Sequence, residues 1–153
     1  IRRLDVALEG VDDGIDITLI DCQPSLGHLT QMALAAAGGT LVMSAPEYDD
    51  VEGAVRVKDF VAAQAENLYN PGLEFLGVVP TRVRENLGAH RYQLEGYDEI
   101  FGPENIWHPH LPELTAVKEA ADAAVPLRSF KGGQRVAERF DDLAAVLAKR
   151  VGL

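Results

Sequence analysis

The chain has 153 residues, a length that suits one domain able to bury roughly 68–70% of the surface its unfolded form exposes, with no disulfide or metal staple. A composition of 47% hydrophobic and 25% charged residues excludes a disordered tail or a coiled-coil rod, and the single cysteine, Cys22, excludes an internal disulfide framework and fits a reducing compartment. The net charge of −10 is uneven: residues 1–76 hold 4 Lys and Arg against 13 Asp and Glu, residues 77–153 hold 10 against 11. Such a chain is a poor bulk binder of nucleic acid, so any DNA contact must come from a local patch, expected in the C-terminal half.

Taken in order, Ile15–Ile20 is short, apolar and β-branched, and predicts a buried strand ending at Asp21. Ser25 is the expected cap of a helix reaching about Ala37, stopped by Gly38-Gly39. Thr40–Ala45 reads as a second strand, Val51–Leu68 as a long amphipathic helix ended by Asn70-Pro71-Gly72, and Leu73–Pro80 as a third strand. Residues 85–101 read as helical but broken by Gly88 and Gly96, Ile106-Trp107 as a short fourth strand, and Thr115–Ala124 as a helix. Lys131-Gly132-Gly133 reads as a turn opening a last helix from Gln134 to about Val151, with Val136, Phe140, Leu143, Ala144 and Leu147 on its core side. Strands alternating with helices predict an α/β fold, a parallel sheet flanked by helices, in one domain over 1–153.

The uncharged stretch Cys22–Pro46 is not a membrane span, because Gln23, Pro24, Ser25, Gly27, His28, Gln31, Gly38 and Gly39 interrupt it. No signal peptide is evident, so a cytoplasmic setting without membrane attachment is expected. His28, His90, His108 and His110 lack the spacing of a metal site. Cys22, after a buried strand, is expected to be a small buried hydrophobe rather than a nucleophile.

In parallel sheets ligands sit beyond the carboxyl ends of the strands, which here are Asp21–Pro24, Ala45–Glu47 and Thr81–Arg84. A hydrophobic strand ending in Asp is the Walker B arrangement, where a rigidly held carboxylate orients Mg²⁺ or its water beside nucleotide phosphates. Many buried strands also end in an Asp that merely caps the next turn.

The wider pattern adds weight to the first alternative. Asp21-Cys22-Gln23-Pro24-Ser25-Leu26-Gly27, then Thr30, Ala33-Leu34, Pro46-Glu47-Tyr48 and Glu52-Gly53, resembles the ParA family of DNA-partition ATPases. Asn70-Pro71, Leu76-Gly77-Val78-Val79, Thr81, Pro109 and Glu119–Pro126 are similar to later segments of that family, so the resemblance runs from about Leu8 to Val146. It implies a P-loop NTPase-like fold of the deviant Walker A type, binding ATP or ADP and Mg²⁺, forming a homodimer around nucleotide, binding DNA non-specifically and answering to a ParB-like partner in plasmid or chromosome partition. It also implies roles: Asp21 as catalytic and Mg²⁺-linked carboxylate, with Gln23, Pro24, Glu47, Thr81, Arg82 and Pro109 near the nucleotide. On the residues alone, Glu47 and Arg82 read equally as solvated loop charges, and Pro109 as a strand-ending proline.

Several departures stand beside these matches. The family's phosphate loop, K-G-G-x-G-K-[ST], has no counterpart upstream of Asp21, and Lys131-Gly132-Gly133-Gln134-Arg135 only begins like it. Starting at Ile1, the sequence is therefore expected to correspond to the C-terminal portion of such an ATPase and to be inactive alone. His110 and Glu113 stand where the family carries arginines, and Gln23 replaces a proline. Arg128, Lys131, Arg135 and Arg139 form the basic cluster, either a DNA-backbone patch or a solvated helix start paired with Glu138, Asp141 and Asp142. The alternatives to a partition ATPase are a MinD- or Mrp-like relative and a nucleotide-free protein-interaction module.

Overall fold

The computed structural model describes every residue except Asp12. The described chain falls into two compact units, residues 1–42 with 54–76, and residues 43–53 with 77–153. In order it forms helices α1 (Arg3–Leu8) and α2 (His28–Ala36), strand β1 (Gly39–Ser44), α3 (Tyr48–Gln64), β2 (Glu74–Pro80), α4 (Gly88–Phe101), α5 (Thr115–Asp122) and α6 (Gln134–Arg150), with 3₁₀ turns at Pro103–Asn105 and Leu127–Ser129. β1 and β2 are neighbours. They run parallel: the Glu74 N–H donates to Gly38 O at 3.2 Å at one end, and the Thr81 N–H to Ser44 O at 2.9 Å at the other. The fold is α/β, a parallel sheet flanked by helices, as the alternation of elements implies.

In the first unit Leu34 and Ala35 of α2 pack with Val61 of α3, Leu68 and Leu73, and Leu26, Val57, Phe60, Ala65 and Phe75 close around them. α2 begins at His28 with Gly27 as its cap, two residues later than the sequence suggested. Ser25 is spent on a tight turn, its N–H on Gln23 O at 2.7 Å, while Gly27 O takes the Gln31 N–H. Asn70 ties off the other end: its Nδ2 donates to Leu34 O at 2.9 Å and Ala37 O at 2.7 Å, satisfying carbonyls a helix terminus leaves without partners.

The expected strand Ile15–Ile20 is not formed. These residues have no regular structure, and Ile15 and Leu19 are 56% and 78% exposed. Their pattern suits a buried strand, but a strand exists only with a ladder neighbour, and none pairs with them among the described residues. α1 was not anticipated. It is one and a half turns long, and the Arg2–Asp5 ion pair closes its first turn.

In the second unit the carboxyl half of β2 is buried on all sides. Ile106-Trp107, expected as a fourth strand, makes a single parallel bridge, Val78 to Ile106, with the Trp107 N–H on Val78 O at 2.9 Å. Gly77 permits that approach. It has φ +123°, and a Cβ there would lie 2.1 Å from Asn105 O and 2.9 Å from the Trp107 indole nitrogen. α4 runs unbroken through Gly96, since one helical glycine costs about 1 kcal/mol and buried Tyr97 and Phe101, in edge contact at 5.3 Å, outweigh it. Gly132 (φ +85°) and Gly133 form the expected turn into α6. The core stripe of α6 is Val136, Ala137 and Leu143, whereas Phe140 is 48% exposed. The position between Val136 and Leu143 on that stripe belongs to Arg139, half-buried with its side chain 16% exposed.

Two stability tests follow. Gly77→Ala is expected to cost about 2–4 kcal/mol in denaturant unfolding, from overpacking plus a left-handed backbone. Asn70→Ala is expected to cost about 1–2 kcal/mol, because it strands two α2 carbonyls.

Candidate functional site

The positions singled out in the sequence divide between the two units. Asp21, Gln23 and Pro24 lie in the first, exposed, on the unstructured segment before α2. Cys22 is exposed as well, contrary to its expected burial, because the strand that would have buried it is absent. Its thiol donates to Ile20 O at 3.6 Å. Partial shielding of the sulfur, and then the Asp21 carboxylate, raise its pKa, which disfavours the thiolate.

Glu47, Thr81, Arg82 and Pro109 belong to the second unit, and the chain gathers them at the carboxyl end of the sheet. β1 ends in buried Ser44, buried Ala45 and Pro46 come next, and Glu47 follows, exposed, with its N–H on Ala45 O at 2.8 Å. Ser44 is fixed by Tyr97 of α4: the two hydroxyls are 3.0 Å apart, and the Tyr97 hydroxyl donates to Ala45 O at 3.1 Å. Burial, opposed by the Ser44 hydrogen bond, pushes the Tyr97 hydroxyl above its ordinary pKa, so it stays a neutral donor. Beyond β2, Thr81 is half-buried, while Arg82 is exposed with φ +52° and its guanidinium on the Asp50 carboxylate of α3. A non-glycine residue held in that region carries strain of order 1–3 kcal/mol, and such positions cluster at ligand sites. Pro109, half-buried after a cis peptide bond, enters the segment that runs beside this end: the Leu111 N–H donates to Pro80 O at 2.8 Å, the Val83 N–H to Leu111 O at 3.0 Å and the Glu113 N–H to Val83 O at 3.0 Å.

Charges surround this end. Arg84 is paired with Glu113, and Glu85 receives His110 Nε2 at 3.1 Å. His90, buried in α4, takes the Arg84 N–H on Nδ1 at 3.1 Å. The Arg84 hydrogen bond, helped by the Arg84, Lys118 and Arg82 charges, holds the Glu113 carboxyl below its usual range. The His110 hydrogen bond does the same for Glu85. None of these partnerships was visible in the sequence: apart from Arg84 with His90, six residues away, they join residues 25 to 53 apart, and no local period encodes them.

Of the four basic positions, two are occupied internally. Arg128 grips both oxygens of Asp141 at 2.7 and 2.8 Å, and Arg139 donates to His110 O at 2.5 Å. Lys131 and Arg135 are exposed and make no ion pair among the described residues. No group of three or more His, Cys, Asp or Glu able to hold a metal ion occurs among the described residues, so a metal at Asp21 would rest on that carboxylate, water and ligand oxygens. Among the described residues, no helix is long and apolar enough to cross a membrane.

The lowered pKa of Glu113 gives its pairing a defined pH dependence. A carboxyl whose folded value is depressed stabilises the fold above its unfolded value and loses that contribution as pH falls through the folded one. The stability difference between wild type and Glu113→Gln, followed by urea unfolding, is therefore expected to be full at neutral pH and to shrink below about pH 4.3.

Comparison with known proteins gives a consistent kinship. A family model described as an AAA domain matches residues 2–75. The sporulation initiation inhibitor protein Soj of Bacillus subtilis is 32% identical over 148 residues, 95% of this chain and 57% of Soj. Among solved structures, an ATP complex of a Cyanothece McdA variant superposes with a TM-score of 0.77 at 18% identity, covering 98% of this chain and 56% of that one. The cell division ATPase MinD of Pyrococcus furiosus gives 0.71 at 22%, covering 97% and 58%. The chain thus spans a little over half the length of the curated relatives it matches. The match to residues 2–75 runs through the Asp21 segment, and together with the similarity to Soj it supports the resemblance of this chain to the ParA family, over a little more than half of Soj's length.

Proposed function

We propose that the chain serves ATP- and Mg²⁺-dependent partition of a plasmid or chromosome, its second unit carrying nucleotide-binding loops and its first the Mg²⁺-linked carboxylate Asp21. The observation that carries this is the gathering of Glu47, Thr81, Arg82 and Pro109 at the carboxyl end of parallel strands, where α/β sheets bind ligands. A McdA structure with ATP bound shares the fold, which supports nucleotide as the ligand class. Asp21 would hold a Mg²⁺-bound water, and Gln23 and Pro24 would follow the phosphates. Thr81, Arg82 and Pro109 would flank the base, and Glu47 the nucleotide or a second copy in a homodimer. A ParB-like protein and non-specific DNA are the partners this assignment brings, the latter through Lys131 and Arg135.

The 153 residues contain no K-G-G-x-G-K-[ST] segment, so the lysines that would hold the phosphates are missing from this chain. Binding and turnover should accordingly separate. Mg·ADP at about tenfold over its dissociation constant is expected to raise the thermal midpoint by about 3–6 °C, from RT ln(1 + [L]/Kd) and the usual midpoint shift per kcal/mol for a domain of this size. ATP turnover by the purified chain is expected to stay at background. Steady Mg²⁺-dependent turnover that disappears in Asp21→Ala would overturn the second expectation. A midpoint indifferent to Mg·ADP and Mg·ATP would overturn the first and leave the nucleotide-free interaction module.

A further inference from the structure

We propose that Arg139 is a positioning residue for the nucleotide-side loops, an inference that rests on the nucleotide reading above for its functional meaning but not for its geometry. Arg139 sits on the core stripe of α6 between buried Val136 and Leu143, half-buried, with its side chain 16% exposed. Its Nη1 donates to the main-chain oxygen of His110 at 2.5 Å, and its Nη2 lies 3.5 Å from Glu85 Oε1. That same Glu85 oxygen meets His110 Nε2 at 3.1 Å. One guanidinium therefore closes a ring through three separate stretches of chain: α6, the loop after β2, and the segment after Pro109.

The fork geometry matters here. Two acceptors in different directions, a carbonyl and a carboxylate, suit a planar guanidinium and not an ammonium. The segment so held is the one whose amides pair with the end of β2, Leu111 to Pro80 O and Glu113 to Val83 O. Thr81 and Arg82 lie between those two acceptors, and Pro109 immediately precedes His110. Arg139 thereby sets where the flanking loops of the proposed site stand, although it need touch no ligand. In the sequence it belonged with a basic cluster read as a DNA patch or a solvated helix start, and its burial fits neither.

Amide hydrogen exchange tests this on the whole chain. Arg139→Met keeps the stem packed in the core and removes the fork. It is expected to speed exchange of the Leu111 and Glu113 amides at least tenfold while leaving those of Thr81 and Trp107 within twofold of wild type. Arg139→Lys should fail to restore protection, since its single nitrogen on a shorter stem cannot reproduce the two separate nitrogens, Nη1 and Nη2, that meet His110 O and Glu85. Glu85→Gln, an exposed change that does not threaten folding, should speed the same two amides and add nothing further in the Arg139→Met background. Uniform acceleration across all four amides, full protection in Arg139→Met, or no effect of Glu85→Gln would each overturn the proposal. Thermal midpoints with Mg·ADP separate it from the nucleotide reading. A wild type that does not respond refutes that reading and leaves the exchange result to judge the strap. A wild-type response kept in full by Arg139→Met refutes the positioning role alone.

Discussion

Parallel strands end in loops whose backbone groups have no ladder neighbour, and the second unit is organised around meeting that constraint. Beyond Ser44 and Pro80 the pairing does not stop: the Thr81 and Leu111 amides find the last carbonyls of the two strands, and the Val83 and Glu113 amides find carbonyls on an adjacent loop. Burial makes the requirement strict, because Pro46, Val79, Pro80, Val83 and Leu111 exclude water from much of this end. Gly77 and Tyr97 act at the same place by different means. The first lets Trp107 and Asn105 come close to β2, and the second pins the last residues of β1 through two oxygens. Candidate ligand residues sit on the exposed rim of this hydrogen-bonded platform, so their precision is inherited from groups that touch no ligand.

The first unit shows what happens where the constraint is not met. Ile15–Ile20 has the composition of a buried strand, yet Leu19 stands 78% exposed and Asp21 projects from irregular chain. Apolar, β-branched residues favour extended backbone, but a strand is stabilised by cross-strand partners, and those are a property of the neighbourhood rather than of the segment. Cys22 follows the same logic, exposed because the element before it has nothing to pair with. The kinship of Asp21-Cys22-Gln23-Pro24 with the ParA family is thus carried by residue identity and spacing, independently of the conformation of the segment.

That contrast explains how much could be read in advance. The helices α3, α4, α5 and α6 and the strands β1 and β2 were legible because each carries its signal locally, as an apolar period bounded by glycine, proline or asparagine. Glu47, Thr81 and Arg82 could be placed beyond strand ends once the strands were found, whereas Pro109 was singled out only through the family resemblance. What escaped was long-range. Asp50 under Arg82, Glu113 under Arg84, Glu85 between His110 and Arg139, and Asn70 across the end of α2 depend on which distant segments meet. Phe140 and Arg139 exchanged their expected places for the same reason. Helical period alone favours the phenylalanine, whereas two acceptors on neighbouring loops favour the arginine.

The same accounting bears on nucleic acid. The C-terminal half looked nearly neutral and rich enough in arginine for a phosphate-binding face, but charge that is already paired releases fewer counterions on binding. Arg82 and Arg84 are each held by an acidic partner, and of the cluster Arg128, Lys131, Arg135 and Arg139 at the opening of α6 only Lys131 and Arg135 make no ion pair or carbonyl contact among the described residues. Two phosphate contacts give a salt slope of only about −1.8 in log K against log salt, which is weak beside the slopes of dedicated DNA binders. A surface of that strength becomes useful when several copies present it together, since linked sites bind with an effective concentration that a single copy lacks. Non-specific DNA association through this face is therefore a property to be sought in an assembly of chains rather than in one.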